Sequence, residues 1–164
     1  MKSKFKYSAY LLALATISLA VILLSLFIQN ISSNKFPLGP LILISAFFAF
    51  IWIWLFFGEL RTKVIYVEIQ GDYIKVKHYL GLGSSKIFYQ EDITGFKISI
   101  LPSKGGSYEY LYLMRGNRKI AKLSEFYHSN YNELKSNIVS LGIKRLSTEV
   151  FSNWQELKDM FSKT

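Results

Sequence analysis

The sequence predicts a membrane α-helical hairpin followed by an α+β domain, a small β-barrel or meander of about six or seven strands closed by a C-terminal helix. Three observations support this fold class. Residues 7–34 and 36–58 contain no charged side chain. From Val64 onwards, apolar and polar residues alternate with a period of two, which is typical of strands. After Asn130 the apolar spacing lengthens to three and four residues, which is typical of a helix.

The two apolar runs divide the chain into a hairpin at residues 1–60, with helices at about residues 7–28 and 37–58, and a domain at residues 61–164. Each run matches the roughly 20 residues that cross a hydrocarbon core of about 30 Å. Pro37 and Pro40 are tolerated because they fall near the first turn of the second helix. A cleavable signal peptide is the alternative for the first run, but the apolar stretch exceeds the about 7–15 residues of such a core.

The flanking positive charges predict the orientation of the hairpin. They precede the first helix and follow the second at Lys2, Lys4, Lys6, Arg61 and Lys63. The connecting turn carries Lys35. Because cytoplasmic flanks carry the excess of Lys and Arg, we expect a multi-pass protein of a bacterial inner (cytoplasmic) membrane with both termini in the cytoplasm. The uncharged runs favour an anchor or a packing element, since transporters and proton relays need ionisable groups inside the membrane.

The alternation in the second part of the chain predicts six strands. They are expected at about residues 65–70, 73–80, 86–90, 96–100, 108–114 and 118–123. Gly71-Asp72 predicts the tight turn of the first hairpin. Asn130 and Glu133 predict a capping box at the start of a helix that ends at Gly142. Its apolar stripe is Leu134, Ile138 and Leu141, and a further short helix is expected at about residues 153–161.

Two segments of this domain resemble the bacterial pleckstrin-homology-like (PH-like) domains of small membrane proteins with two N-terminal transmembrane helices. One is Lys86-Ile87-Phe88-Tyr89-Gln90-Glu91-Asp92-Ile93, before a strand that begins at Gly95-Phe96. The other is Ser124-Glu125-Phe126-Tyr127, followed by Asn130-Tyr131-Asn132-Glu133-Leu134 at the start of the helix. The resemblance implies a PH-like fold and a tethering or assembly role, and it implies little chemistry. The family fold has seven strands, against the six expected here, and the extra helix near residue 153 is a second departure.

The residues with reactive side chains do not form a recognisable catalytic or metal-binding pattern. The chain has no cysteine and two histidines, His78 and His128, and packing or turn roles are expected for both. Adjacent strand residues point to opposite faces, so Glu91 and Asp92 are not expected to act as an acid/base pair. The glycine-rich loop at residues 81–85 lacks the Lys-Ser/Thr ending of a phosphate-binding loop. We therefore predict no catalytic, cofactor-binding or metal site, no cofactor and no enzymatic activity.

The formal net charge of +9 is spread along the chain, so nucleic acid is not an expected partner. Anionic lipid is an alternative partner of these charges, because each Lys or Arg near a membrane surface contributes about 1 kcal/mol. The candidate lipid contacts are Lys2, Lys4, Lys6, Arg61, Lys63, Lys75 and Lys77. An ordinary solvated face is the competing interpretation of these lysines.

The sequence-based hypothesis is a non-enzymatic inner-membrane protein that presents a binding or scaffolding domain at the cytoplasmic membrane surface. Its expected partners are the bilayer and either another protein or its own copies. The candidate partner contacts are Tyr108, Tyr110 and Tyr112, because tyrosine offers a large contact area at low entropic cost; the competing interpretation is that they are core. Two alternatives stay open: an accessory subunit of a transport or secretion complex that packs through Gly39, Ala46 or Ala49, and a membrane-surface enzyme.

Overall fold

The computed structural model describes residues 1–33, 37–103, 106–152, 154 and 157–158 of the chain. It opens with two long helices, α1 (Tyr7–Ser33) and α2 (Leu38–Ile53). The second continues without a break as a π-helical segment, Trp54–Leu60, and a last α-helical turn, Arg61–Lys63. The name α2 is used below for the whole of this continuous helix. Both helices are long and apolar enough to cross a membrane, by length and composition. Each helix extends five residues beyond its predicted end. The predicted turn between them includes residues 34–36, which lie outside the described part of the chain.

The two helices are joined near the end that meets the sheets. The Trp52 indole N–H donates a hydrogen bond to the backbone carbonyl of Thr16 at 3.1 Å. Thr16 is only 2% exposed, and its hydroxyl donates to the Leu12 carbonyl at 2.8 Å. Their outer faces remain apolar and exposed, as at Leu43 and Phe50, which is the surface expected of helices that face lipid.

The first sheet consists of β1 (Tyr66–Gln70), β2 (Tyr73–Lys77) and β3 (Ser85–Tyr89), all antiparallel. The predicted hairpin with a turn at Gly71-Asp72 is confirmed, and Gly71 adopts a positive φ of 51° there. Alternation places one face of these strands in the core, at Val67, Ile69, Ile74 and Val76.

Strand β2 is shorter than predicted, because the chain leaves the sheet at His78. A tight 3-10 turn, Tyr79–Gly81, follows, in which Tyr79 and Leu80 both have left-handed backbone, with φ of 54° and 57°. The turn directs the chain toward the helices instead of continuing the strand. Alternation of apolar residues could not show this, since Tyr79 and Leu80 are acceptable strand residues.

The second sheet has the order β6-β5-β4-β7. Its strands are β4 (Gly95–Ser103), β5 (Gly106–Arg115), β6 (Arg118–Ser124) and β7 (Arg145–Val150). The first three form an antiparallel meander, as predicted. Strand β7 pairs in parallel with β4.

Strand β7 corrects the prediction of six strands, because it falls in a stretch interpreted from sequence as a polar link. Most of its side chains are exposed, so they lack the apolar alternation that marks a half-buried strand. Gly95 allows β7 to approach β4 closely. A Cβ atom there would lie 2.6 Å from the Lys144 carbonyl oxygen.

Helix α3 (Tyr131–Ser140) precedes β7 and completes the core. Leu134 and Ile138 are fully buried, and the predicted stop at Gly142 has a φ of 77°. The predicted capping box is wrong, because the Asn130 side chain makes no cap hydrogen bond to the helix. Of the expected last helix, positions 154, 157 and 158 are helical, and the remainder lies outside the described residues.

The described strands form two separate sheets of three and four strands around one apolar core. The α+β class is therefore confirmed, while the sheets do not close into the small barrel that was expected.

Candidate functional site

The candidate site lies where the helices meet the sheets, and the first six residues of the chain form part of it. Ser3 pairs with the outer edge of β1, with its N–H 2.8 Å from the Val67 carbonyl and its hydroxyl oxygen 2.9 Å from the Val67 N–H. The Ile69 N–H donates to the Met1 carbonyl at 2.7 Å. The segment that precedes α1 thus extends the first sheet by one short strand-like stretch.

The same segment is held from its other side by the loop between β6 and α3. Asn130 accepts a hydrogen bond from the Lys4 N–H at 2.8 Å and donates one to the Lys2 carbonyl at 2.9 Å. The Lys6 N–H donates to the Tyr127 carbonyl at 2.8 Å. We name residues 1–6 the N-terminal strap, because they lie between β1 and this loop and lead directly into α1.

His128 lies under the strap and is 1% exposed. Its Nε2 is 2.8 Å from the Ile65 carbonyl oxygen, and its Nδ1 is 2.8 Å from that of Ser124. The Phe5 ring covers it at 5.3 Å between ring centroids. Burial lowers the pKa of His128 and outweighs the two carbonyls, which favour the charged ring. The neutral ring therefore packs β1, the loop and the strap together, in keeping with the packing role predicted.

The end of α2 contributes a partly buried ion pair to the junction. Glu59 accepts from the Lys63 ammonium group at 2.5 Å and from the Tyr127 hydroxyl at 3.2 Å. Burial, and then the neighbouring Glu59 carboxylate, raise the pKa of Tyr127, so its hydroxyl stays protonated and donates. Lys63 is 7% exposed and faces the protein rather than a lipid surface. Sequence reasoning missed Glu59, although its i, i+4 spacing to Lys63 is a recognised pairing signal.

The three predicted tyrosine contacts are not equally accessible. Tyr110 and Tyr112 are each 3% exposed, whereas Tyr108 is half-buried. The Lys122 ammonium group lies 4.3 Å from the centroid of the Tyr110 ring, and that of Lys119 lies 4.1 Å from the Tyr112 ring. Their burial supports the competing interpretation of this face as core.

Tyr108 and Tyr110 also border a cavity of about 240 Å³ beside the ion pair. Its wall is formed in part by Glu59, Lys63, Phe126 and Tyr127. The Tyr108 and Phe126 rings meet edge to face at 5.0 Å.

The other candidate lipid contacts occupy different parts of the surface. Lys2 is exposed and lies 3.5 Å from the Glu68 carboxylate. Lys4 is exposed on the strap, and Lys6 is half-buried there. Lys75 and Lys77 are half-buried on the face of β2 opposite Ile74 and Val76. The structure therefore does not bring all seven cations together.

Arg61 lies at the end of α2, beside the turn that follows β2. Its backbone carbonyl is 2.8 Å from Nδ1 of His78. Burial lowers the pKa of His78, and the charges of Arg61 and Lys86 lower it further. Lys86 lies on β3 opposite Val76, two residues before His78. The His78 ring is half-buried, in the packing role predicted for it.

An apolar groove of about 450 Å³ opens directly below this turn. Its floor is one face of α1, including Ala13, Thr16 and Ala20, and its far wall is the α2 ring pair Trp52 and Phe56. The upper rim is formed by Tyr79, Leu80, Leu82 and Gly83. Sequence reasoning missed the groove, because it is created by three segments that are distant in the chain.

Within the part of the chain that the structure describes, no group of three or more His, Asp or Glu side chains is arranged to hold a metal ion. The comparisons with known proteins found no matching family model, curated protein or solved structure. The geometry of the junction is therefore the basis for any functional proposal.

Proposed function

We propose that this protein is a non-enzymatic inner-membrane protein that holds a PH-like binding or scaffolding domain at the cytoplasmic face of a bacterial membrane. There the domain binds another protein or a second copy of this chain. One observation carries the proposal: the domain is attached to the helical hairpin twice, through the strap before α1 and through the end of α2. A domain attached at both points is held at a fixed height and orientation relative to the helices.

The double attachment supports the proposed topology. Because the strap is hydrogen-bonded to β1, both outer ends of the hairpin lie on the side of the domain. That side carries the excess positive charge, which favours the cytoplasm.

The PH-like assignment is supported by the three-stranded sheet, the meander of β4 to β6 and the helix that follows. With β7, the strands of the described residues number seven, as in that family. Its position after α3 and its parallel pairing with β4 give this domain its own variant of the arrangement.

The outer edge of β3, which has no neighbouring strand among the described residues, is the contact surface we favour. The strap covers the outer edge of β1, whereas β3 ends the described sheet on its other side. Ile87 and Tyr89 project from it with 52% and 51% exposure. An uncovered strand with apolar side chains is a template for pairing with an extended segment of another protein.

Photo-crosslinking in intact cells tests this surface. A photoreactive residue in place of Ile87 should form adducts with the partner, and Tyr89→Glu in the same chain should abolish them. Val139, an equally exposed aliphatic residue on α3 with 53% exposure, provides the matched control position. Adducts no stronger from position 87 than from position 139 would contradict a β3 contact.

Exchange of the hairpin separates this proposal from the accessory-subunit alternative. Replacing residues 7–58 with an unrelated two-helix anchor should preserve the adducts from position 87, because the strap and the end of α2 are retained. Their loss in a variant that still folds would instead assign binding to the helices.

The absence of cysteine makes the topology directly testable. Ser33→Cys at the end of α1 should react with a membrane-impermeant maleimide in intact cells. Ser152→Cys in the domain should react only after lysis. The reverse pattern would place the domain outside the cytoplasm and overturn the proposal.

A further inference from the structure

The groove at the junction has the form of a site for a single lipid chain. On α1 it is lined by positions 13, 16, 17, 20 and 21, which share one helical face. Small side chains at Ala13, Thr16 and Ala20 leave a depression there. From position 13 to position 21 this face extends about 12 Å along the helix axis. The volume of the groove, about 450 Å³, lies within the range of small-ligand sites, about 300–1,000 Å³.

Three stacked aromatic rings form the opposite wall. The rings of Trp52 and Phe56 stack at 5.0 Å between centroids, and Phe56 stacks on Tyr79 at the same distance. The wall thus connects α2 with the turn after β2.

The rim of the groove is apolar and is held by backbone hydrogen bonds. The Leu80 N–H donates to the Val64 carbonyl at 2.9 Å, and the Gly83 N–H donates to the His78 carbonyl at 3.0 Å. The left-handed backbone of Tyr79 and Leu80 costs about 1–2 kcal/mol per residue, so these contacts hold a strained turn in place. Leu82 projects from the rim with 89% exposure. Such exposure of leucine beside two membrane helices is accounted for if lipid surrounds it.

The groove is continuous with the lipid-facing surface of α1, since Ile17 and Val21 border it and are more than half exposed. Above the rim, the Arg61 backbone carbonyl lies 2.8 Å from Nδ1 of His78, and Lys86 on β3 lies three residues beyond Gly83 and opposite Val76. A hydrocarbon chain in the groove would therefore bring a phosphate group to these two cations.

We propose that this groove binds one anionic glycerophospholipid, with an acyl chain between α1 and α2 and its phosphate beside Arg61 and Lys86. The proposal goes beyond the scaffolding function, and it requires only that the two helices cross a bilayer. It also differs from general attraction to an anionic surface, because it assigns the lipid to a single site.

Trp52 provides a reporter inside the groove. In a Trp54→Phe, Trp154→Phe background it is the one remaining tryptophan. The full chain is reconstituted into phosphatidylcholine vesicles that contain increasing fractions of either brominated phosphatidylglycerol or brominated phosphatidylcholine. Quenching of Trp52 fluorescence against lipid fraction then gives the relative affinity of the groove for the two headgroups.

We expect the anionic lipid to be preferred, and Arg61→Gln or Lys86→Gln to reduce the preference by about fivefold each. Lys75→Gln, on β2, is the matched charge control and should leave the preference unchanged. Ala20→Phe fills the groove and should reduce quenching by both lipids, whereas Ala15→Phe, on an exposed face of the same helix, should not.

Three results would overturn the proposal. Equal quenching by the two lipids would show ordinary boundary lipid without headgroup selection. Equal effects of Ala20→Phe and Ala15→Phe would show that no chain occupies the groove. Absence of quenching by either lipid would show that protein covers Trp52. Circular dichroism of each variant confirms that the change in quenching does not arise from unfolding.

Discussion

Replacing Asn130 by leucine should release the N-terminal strap while leaving the rest of the domain folded. The Asn130 side chain is 8% exposed and bonds two backbone groups of the strap, the Lys4 N–H and the Lys2 carbonyl. Leucine has a similar volume but cannot make either bond. The substitution therefore leaves both backbone groups of the strap without their hydrogen-bond partner and does not open a large cavity.

The expected magnitude follows from these two hydrogen bonds. A backbone group that loses its partner in a partly buried position costs about 1–3 kcal/mol. The two groups are only part-buried, so we expect the lower half of that range for each and about 2–4 kcal/mol together. The free energy of opening the strap should fall by this amount. Since about 1.4 kcal/mol corresponds to a factor of ten, amide exchange in the strap should accelerate by about 30- to 1,000-fold.

Hydrogen-exchange mass spectrometry of the protein in detergent micelles measures this change, because local opening controls exchange in such segments. The peptide that covers residues 2–6 should exchange faster in Asn130→Leu, and peptides from β5 should not change. Asn132→Leu, at an exposed position in the first turn of α3, is the matched control. If the strap exchanges at the same rate in Asn130→Leu and in the unmodified protein, its attachment through Asn130 contributes nothing and the reasoning fails.

Three further predictions concern stability. Tyr110→Ala should lower the free energy of unfolding by about 3 kcal/mol or more, because a buried aromatic ring is removed from beside Lys122. If the free energy of unfolding measured by chemical denaturation does not change, Tyr110 is a candidate contact residue again. Gly95→Ala should lower the free energy of unfolding by about 1–3 kcal/mol, because the added Cβ would overlap Leu146 and the Lys144 carbonyl oxygen. The thermal unfolding midpoint should fall as a result. Burial lowers the pKa of His128 below 6.5 in the folded protein, so the unfolded chain binds a proton at this histidine at a higher pH than the folded chain does. The stabilising contribution of the buried neutral His128 ring should therefore be complete above about pH 6.5, and it should decline as the pH falls toward the folded-state pKa. Unfolding midpoints from pH 7.5 to 5 should show a weaker pH dependence in His128→Gln, and identical profiles would argue against this origin.

The helices and the first hairpin could be predicted from sequence because their signals are local. An uncharged apolar run of about 20 residues is typical of a helix that crosses a membrane. Gly71 supplies the positive φ that the turn of the first hairpin requires. Strand β7 has no such signal. Its side chains are mostly exposed, and it is held in place by backbone pairing with β4.

Asn130 shows why the candidate site was harder to predict than the fold. Its position before an apolar helix is typical of an N-cap residue, and it does directly precede α3. Its side chain, however, bonds a segment 126 residues earlier in the chain. The Asn130 side chain can bond either the first turn of α3 or this distant segment. The residues next to Asn130 in sequence do not indicate which of the two it bonds. The same argument applies to the groove, whose walls come from residues that are close only after folding.

The two attachments of the domain have a physical consequence that neither would have alone. A domain joined to a membrane helix by a single chain segment rotates about that connection, so its surfaces sample many orientations relative to the bilayer. Here there is a second connection beside the first, because the strap pairs with β1 and with the Tyr127 carbonyl while α2 is fixed through Glu59 and the Tyr127 hydroxyl. Rotation then requires breaking one set of buried contacts, each of which contributes to stability. Under the proposed function, the outer edge of β3 would consequently be held at a constant position above the membrane, together with a partner that paired with it.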